Sequence, residues 1–242
     1  MHNREREREL RLLDELKQAE IANVVTHGLN PDVPMKHALT LLGNEIPQNW
    51  SLIRMRNLVA EQTELVGDRA SFPLLSLTKG GVILRDVKSG KGKFPKDFQK
   101  YKVVVPNDII FCLFDIDETP RTVGLSAYNG MITGSYDVFS INESLVNKDF
   151  LLNYFLAVDN IKALRPYYTG LRKVVQGPTF LGIQIPIPPI EEQKAIVEYI
   201  QQKNSAIDEM IANLRAEIDF LTEYKQRLIA DVVTGQLNVQ NL

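Results

Sequence analysis

Along the last quarter of the chain, apolar residues recur at alternating intervals of three and four. The row runs Ile190, Gln193, Val197, Ile200, Asn204, Ile207, Ile211, Leu214, Ile218, Leu221, Lys225, Leu228 and Val232, with neither Gly nor Pro between Pro189 and Gly235. That spacing is the a/d seam of a coiled coil, held over about six heptads. Pro186, Pro188 and Pro189 precede it, where a helix tolerates them, and Glu191 and Glu192 suit its positive N-terminal end. Gly235 supplies a left-handed residue to stop it. Such a helix is roughly 65 Å long, too long to bury one face on a small domain, and needs a second helix.

Upstream the period changes. Short apolar runs bounded by turn residues predict strands at 72–77, 82–85, 102–105, 109–114, 122–126, 131–133 and 136–141. Residues 148–158 have helical spacing, with Phe150, Leu151, Tyr154, Phe155 and Val158 as the buried stripe, and 180–187 returns to a strand that enters the long helix. At the other end, residues 1–26 read as a charged helix whose Leu10, Leu13, Ile21 and Val24 match the C-terminal seam, with a solvated Arg/Glu alternation at its start. Residues 28–34 stop that helix, 36–50 read as irregular and polar, and Trp50 as a core anchor. The expected fold class is α+β: a mixed, mainly antiparallel β-rich domain over 31–185, a short N-terminal helix over 1–30 and a coiled-coil helix over 186–242.

The two helices share more than a pattern. Residues 13–30 (LDELKQAEIANVVTHGLN) and 221–238 (LTEYKQRLIADVVTGQLN) agree without gaps at eleven of eighteen positions, including Ile21/Ile229, Val24/Val232, Val25/Val233 and Thr26/Thr234. The chain therefore holds one period of a repeating unit, cut so that the same helix end occurs twice, and such a unit is built to meet another copy.

These stretches carry a family resemblance. The run Pro186-Ile187-Pro188-Pro189-Ile190-Glu191-Glu192-Gln193, followed by a long helix ending in Asp231-Val232-Val233-Thr234-Gly235-Gln236-Leu237, resembles the specificity subunit of type I restriction-modification systems. Val25-Thr26-His27-Gly28-Leu29-Asn30-Pro31 resembles the end of the same helix. Gly43-Asn44-Glu45-Ile46-Pro47-Gln48-Asn49-Trp50 resembles the entry to that family's target-recognition domain. Members usually carry two recognition domains and two long helices, and here there is room for one of each.

Charge sharpens the picture. The formal net charge of −2 argues against a nucleic-acid binder, yet it is unevenly spread. Lys79, Arg85, Lys88, Lys91, Lys93, Lys96, Lys100 and Lys102 face only Asp86 and Asp97 in their stretch. Lys162, Arg165, Arg172 and Lys173 lie in a segment with no acid between Asp159 and Glu191, beside Tyr167 and Tyr168. Basic loops rich in Gly and aromatics suit phosphate contact with occasional base contact, and equally suit ordinary solvated loops; the resemblance tips the balance to DNA. Arg85, Arg121, Arg165 and Arg172 are the candidates for guanine edges, since a guanidinium spans O6 and N7 together.

Enzymatic readings fare poorly. Ser89-Gly90-Lys91-Gly92-Lys93 lacks P-loop spacing, and all three histidines lie at or before His37, which leaves no nucleophile–His pair or zinc cluster in the body. Asp115, Asp117 and Glu118 read as a solvated turn rather than a metal site. The single Cys112 excludes an internal disulfide and suits a reducing, cytoplasmic setting; no apolar run reaches membrane-spanning length.

The resemblance thus implies a non-catalytic subunit without cofactors that reads double-stranded DNA. Methyltransferase subunits would bring S-adenosylmethionine, and a restriction subunit, where present, ATP. The seam residues Ile200, Asn204, Ile207, Ile211, Leu214, Ile218, Leu221, Lys225, Leu228 and Val232 would join another such helix in a homodimer. Ile196, Phe220 and Ile229 would receive a methyltransferase helix. The competing reading is a coiled-coil adaptor with no role in reading DNA.

Overall fold

The computed structural model of the chain describes residues 2–68, 72–85 and 98–236. The protein divides into two compact units, Ile21–Val197 and a helical one formed by Met1–Glu20 with Glu198–Leu242. The boundaries fall inside the first and last helices rather than at the expected 30/31 and 185/186, because both helix ends carry apolar residues that the globular unit buries.

In chain order the elements are α1 (His2–His27), β1 (Met35–His37), β2 (Glu45–Pro47), β3 (Ser51–Arg54), α2 (Met55–Leu58), β4 (Val59–Glu61), β5 (Leu75–Thr78) and β6 (Gly81–Leu84). There follow β7 (Lys102–Val104), β8 (Ile109–Phe111), β9 (Val123–Leu125), β10 (Gly130–Ile132), β11 (Asp137–Ile141), α3 (Lys148–Asn160), α4 (Gly177–Gly182), β12 (Gln184–Ile187) and α5 (Ile190–Val233). The class is α+β, as the pattern implies. One antiparallel sheet has the order β4-β11-β8-β9, and the other strands form antiparallel pairs: β1 with β2, β3 with β12, β5 with β6 and β7 with β10.

The globular core follows from the alternation. Leu75, Val82, Val104, Ile110, Ile132 and Val138 pack together from six strands of three sheets, and Val66, Leu74, Val103 and Met131 form a neighbouring cluster. Phe111 lies edge-on or tilted against Phe155 and Phe180, each 4.8 Å away between ring centroids, so α3 and α4 close over the sheet. The expected stripe of α3 is buried, and Asn147 caps that helix by accepting from the amides of Asp149 and Phe150.

Two expectations are corrected. Phe180 sits in α4, not in a strand: Pro178 in its first turn favours a helix start, and the strand begins only at Gln184. Residues 36–50 are not irregular throughout, since β1 and β2 pair there in register Lys36↔Ile46 across the loop that joins them.

The start of α5 belongs to the globular unit. Gln193, placed on the coiled-coil seam by spacing, is instead wholly buried. It accepts from the Asn147 amide (2.7 Å) and donates to the carbonyls of Pro188 (2.8 Å) and Leu145 (3.1 Å). Ile196 is buried as well, and so not available to a partner helix. Glu192 accepts from Trp50 Nε1 and Asn49 Nδ2, both at 3.0 Å. Trp50 is a core anchor as expected, packed edge-on to Phe150.

In the helical unit, α1 runs antiparallel to α5. Arg6 pairs with Glu217 (2.8 Å), Lys17 with Asp208 (2.7 Å), and Tyr199 donates to Glu20. Ile200, Ile207 and Ile211 are buried, and Asn204, Leu214, Ile218, Leu221 and Leu228 half-buried. Lys225 and Val232 are exposed. The second helix required by the seam is thus supplied, over its first half, by the chain itself. Farther on, Phe220, Tyr224, Ile229 and Val233 are exposed.

Candidate nucleic-acid interface

Of the first basic stretch, Lys88, Lys91, Lys93 and Lys96 lie outside the described residues. Lys79 is exposed in the turn between β5 and β6, closed by the Thr78 hydroxyl donating to the Gly81 carbonyl (3.0 Å). Arg85 is half-buried just past β6, its amide bonded to Leu74 O (2.8 Å), and Lys100 is exposed. Lys102 faces inward instead, 3.7 Å from Asp137 and 3.8 Å from Glu61.

The second stretch is organised by a carboxylate. Asp117 accepts from Arg165 Nε (2.7 Å), the Tyr168 hydroxyl (2.8 Å) and Lys173 Nζ (2.9 Å), and Lys173 also reaches Glu118 (3.0 Å). These donors, Arg165 foremost, then Lys173 and Tyr168, hold the Asp117 carboxyl well below the usual carboxylate range, while Asp117 and Glu118 raise the Lys173 ammonium. A carboxylate with a lowered folded-state pKa contributes stability above its ordinary pKa and loses it as pH falls through the lowered value. The loop is therefore anchored throughout the neutral range and down to strongly acid pH. Asp117 is not the solvated turn residue that the sequence suggests; its partners lie 48 to 56 residues away, and nothing in the sequence joins them to it.

Arg121 has another partner. It lies 3.2 Å from Asp159, a buried carboxylate also bound by Lys162 (2.8 Å) and the Thr122 hydroxyl (2.6 Å). A buried charge is costly unless paired and hydrogen-bonded, so these cations are tied to the fold. Lys79 and Arg121 nevertheless line one open cleft of about 460 Å³ with Leu77, Glu118, Pro120 and Tyr136. Through Glu118 that cleft adjoins Lys173. The structure thus brings Lys79, Arg121, Arg165, Tyr168 and Lys173 into one neighbourhood, with Arg172 exposed on the same loop. Tyr167 is not among this group and lines a separate cleft with Leu39, Thr40 and Pro178.

A family model described as type I restriction modification DNA specificity domain matches residues 77–219, which include this neighbourhood. The chain belongs to that family. Among curated specificity-domain proteins it resembles the type I restriction enzyme MjaVIII specificity subunit of Methanocaldococcus jannaschii, with 23% identity over 97% of this chain and 56% of the relative. The MjaX specificity subunit of the same organism is also 23% identical, over 96% and 53%. The chain thus spans about half the length of these relatives. Its fold resembles the HsdS subunit from Thermoanaerobacter tengcongensis (TM-score 0.54, 17% identity, 97% of this chain and 54% of that one). It also resembles a chain from a structural study of assembly and conformational transition of the type I R-M system (TM-score 0.67, 15% identity, 94% and 53%). Among the described residues of this specificity-domain protein there is no cluster of His, Cys, Asp or Glu suited to a metal, and no helix long and apolar enough to cross a membrane.

Proposed function

We propose that this specificity-domain chain reads double-stranded DNA for a type I restriction-modification methyltransferase complex and performs no chemistry itself. The observation that carries the reading is the grouping of Lys79, Arg121 and, through Glu118, Lys173 around one cleft, inside the span matched by the family model. Lys79, Lys100 and Arg172 contact phosphates; Arg165 and Arg85 are the stronger candidates for base edges. S-adenosylmethionine and ATP belong to partner subunits. Phe220 and Ile229, which the sequence offered to a methyltransferase helix, lie exposed with Tyr224 and Val233 at the end of α5 and support joining to a second copy instead. The groove of about 500 Å³ lined by Leu12, Leu16, Met210 and Leu214 supports a methyltransferase helix. A closed dimer of identical chains has a two-fold axis, so the target is an interrupted palindrome of two inverted half-sites.

The test is co-purification with the methyltransferase subunit of its system, followed by mapping of methylated adenines. Inverted half-sites separated by an unread spacer are expected. An asymmetric bipartite target would replace the homodimer by pairing with a different half-subunit. Binding to DNA that is absent, or indifferent to salt, would return the chain to the adaptor class.

A further inference from the structure

Near the cleft the chain makes a tight hairpin whose tip is occupied by the wrong kind of residue for a solvated turn. Thr169 and Val174 exchange both backbone hydrogen bonds (2.9 and 3.1 Å), and the Lys173 amide donates to Gly170 O (3.1 Å). Leu171 and Arg172 are therefore the two central residues of a four-residue turn, with Gly170 at φ +71° and Lys173 at φ +47° on either side. Such positions ordinarily take Gly, Asn, Asp, Ser or Pro. Here one is leucine, and its side chain is fully exposed.

A lone exposed leucine on a mobile loop would need no explanation. This one is held. The Asp115 amide donates to Arg172 O (3.0 Å) and the Val175 amide to Leu113 O (2.8 Å), tying the hairpin to the segment that follows β8. Asp117 grips it through Lys173 and Tyr168, and through Arg165 just before it. An apolar side chain is thus presented rigidly, with a guanidinium next to it and further cations at its base. Rigid display lowers the ordering cost of binding, and the charge selects a polyanionic partner.

Resting on the DNA-reading role above, we propose that Leu171 is a wedge that enters a base step of the bound duplex, with Arg172 on the adjacent backbone. Leucine belongs to the small set of side chains that proteins insert between stacked bases, where unstacking is repaid by the contacts the kinked duplex allows. Asp117 acts as a positioning residue: its carboxylate sets the hairpin without touching DNA.

The experiment uses the full chain alone, so that no methyltransferase is present to flip a base, and duplexes of about 30 base pairs carrying the mapped target. Each adenine in turn is replaced by 2-aminopurine, whose fluorescence rises on unstacking. The wild type is expected to brighten at one step, and Leu171→Ser to lose that signal and roughly tenfold in affinity, with the salt slope unchanged. Leu171→Phe, which keeps an insertable side chain, retains the signal. Asp117→Asn lowers the signal in proportion to its loss of hairpin order. Unchanged brightening in Leu171→Ser overturns the wedge while leaving the DNA-reading role intact. So does a Leu171→Ser chain that binds DNA normally but, in a separate co-purification with methyltransferase, no longer retains it, which would make the tip a protein contact. Loss of affinity that follows replacement of thymine by uracil, without any unstacking signal, would make Leu171 a reader of the thymine methyl instead. A wild type with no salt-sensitive DNA binding removes the proposed function itself, and the wedge with it.

Discussion

The same sequence ends both α1 and α5 and meets opposite fates. At the end of α1, Ile21, Val24 and Val25 are buried, Val25 completely, inside the globular unit. Their counterparts at the end of α5, Ile229, Val232 and Val233, are exposed, Val233 by 79%. Local structure does not explain the contrast. Thr26 and Thr234 both donate back to the carbonyl four residues earlier, and both helices stop at a left-handed glycine, Gly28 or Gly235, displaced by one position in the alignment. Helix propensity and capping are therefore shared, and only the presence of something to pack against differs. An apolar helix end that recurs with its packing residues intact and uncovered has kept the chemistry of an interface.

The largest effect should come from placing a charge at the two equivalent valines. Val25→Asp buries an unpaired carboxylate and should cost about 3–5 kcal/mol, read as a drop in the melting temperature of the globular unit. Val233→Asp, measured at low concentration, should stay within about 0.5 kcal/mol while weakening self-association at high concentration. Equal destabilisation by both would mean that the α5 end is covered in the lone chain, and the comparison would collapse.

The seam divides in the same way. Ile211 on the seam is buried, whereas Phe220, beside the seam and about two and a half turns farther along, is not. We expect Ile211→Asp to cost about 2–4 kcal/mol locally, opening α1 to hydrogen exchange without lowering the melting temperature of the globular unit. Phe220→Asp should leave α1 protection unchanged. If Ile211→Asp unfolds the globular unit too, the helical pair is not an independent layer.

Next come the two glycines. A Cβ on Gly28 (φ +76°) would lie 2.9 Å from Glu192 Oε1, the atom that accepts from Trp50, so the carboxylate could move aside only by giving up that bond. Gly235 has a similar φ of +73° and nothing within 4 Å. Gly28→Ala should therefore cost about 2–3 kcal/mol and alter the near-ultraviolet dichroism of Trp50. Gly235→Ala should only fray the last turn, by about 1–2 kcal/mol of local stability. Matching costs on global unfolding would show that the α1 end has no special hold on its surroundings.

How much of this was legible follows from the range of each interaction. The seam of α5 and the stripe of α3 are set by residues three or four apart and can be read directly, as can strands such as β8 and β11 that lie in strong apolar runs. The ribbon of β1 with β2 cannot, because its strands are three residues long and include Pro47; nor can β3 as the partner of β12, because Ile53 and Ile185 pair from opposite ends of the globular unit's sequence. Gln193 shows the limit most sharply. Its spacing assigns it to the seam, but its three hydrogen bonds to Asn147, Leu145 and Pro188 draw it into the globular unit, and only the folded chain brings those groups together. In the candidate interface the cations were visible as charge, and the part of Asp117, which holds two of them and Tyr168, was not.

The smallest expected effect concerns the ion pairs that accompany α1 along α5. Lys17 and Asp208 meet at 2.7 Å, but Asp208 remains more than half exposed, and water and salt screen such pairs strongly. A double-mutant cycle of Lys17→Ala and Asp208→Ala, read by the exchange protection of α1, should give a coupling of about 0.2–1 kcal/mol that fades with added salt. A coupling above roughly 2 kcal/mol would mean that charge, not the isoleucine seam, holds α1 in place. The distinction bears on the far half of α5. If burial of Ile200, Ile207 and Ile211 does the holding, then Phe220, Ile229 and Val233 have the same capacity to hold a helix and lack only the helix. If charge does it, their exposure carries no such meaning, and the end of α5 would be merely a helix that has outrun its partner.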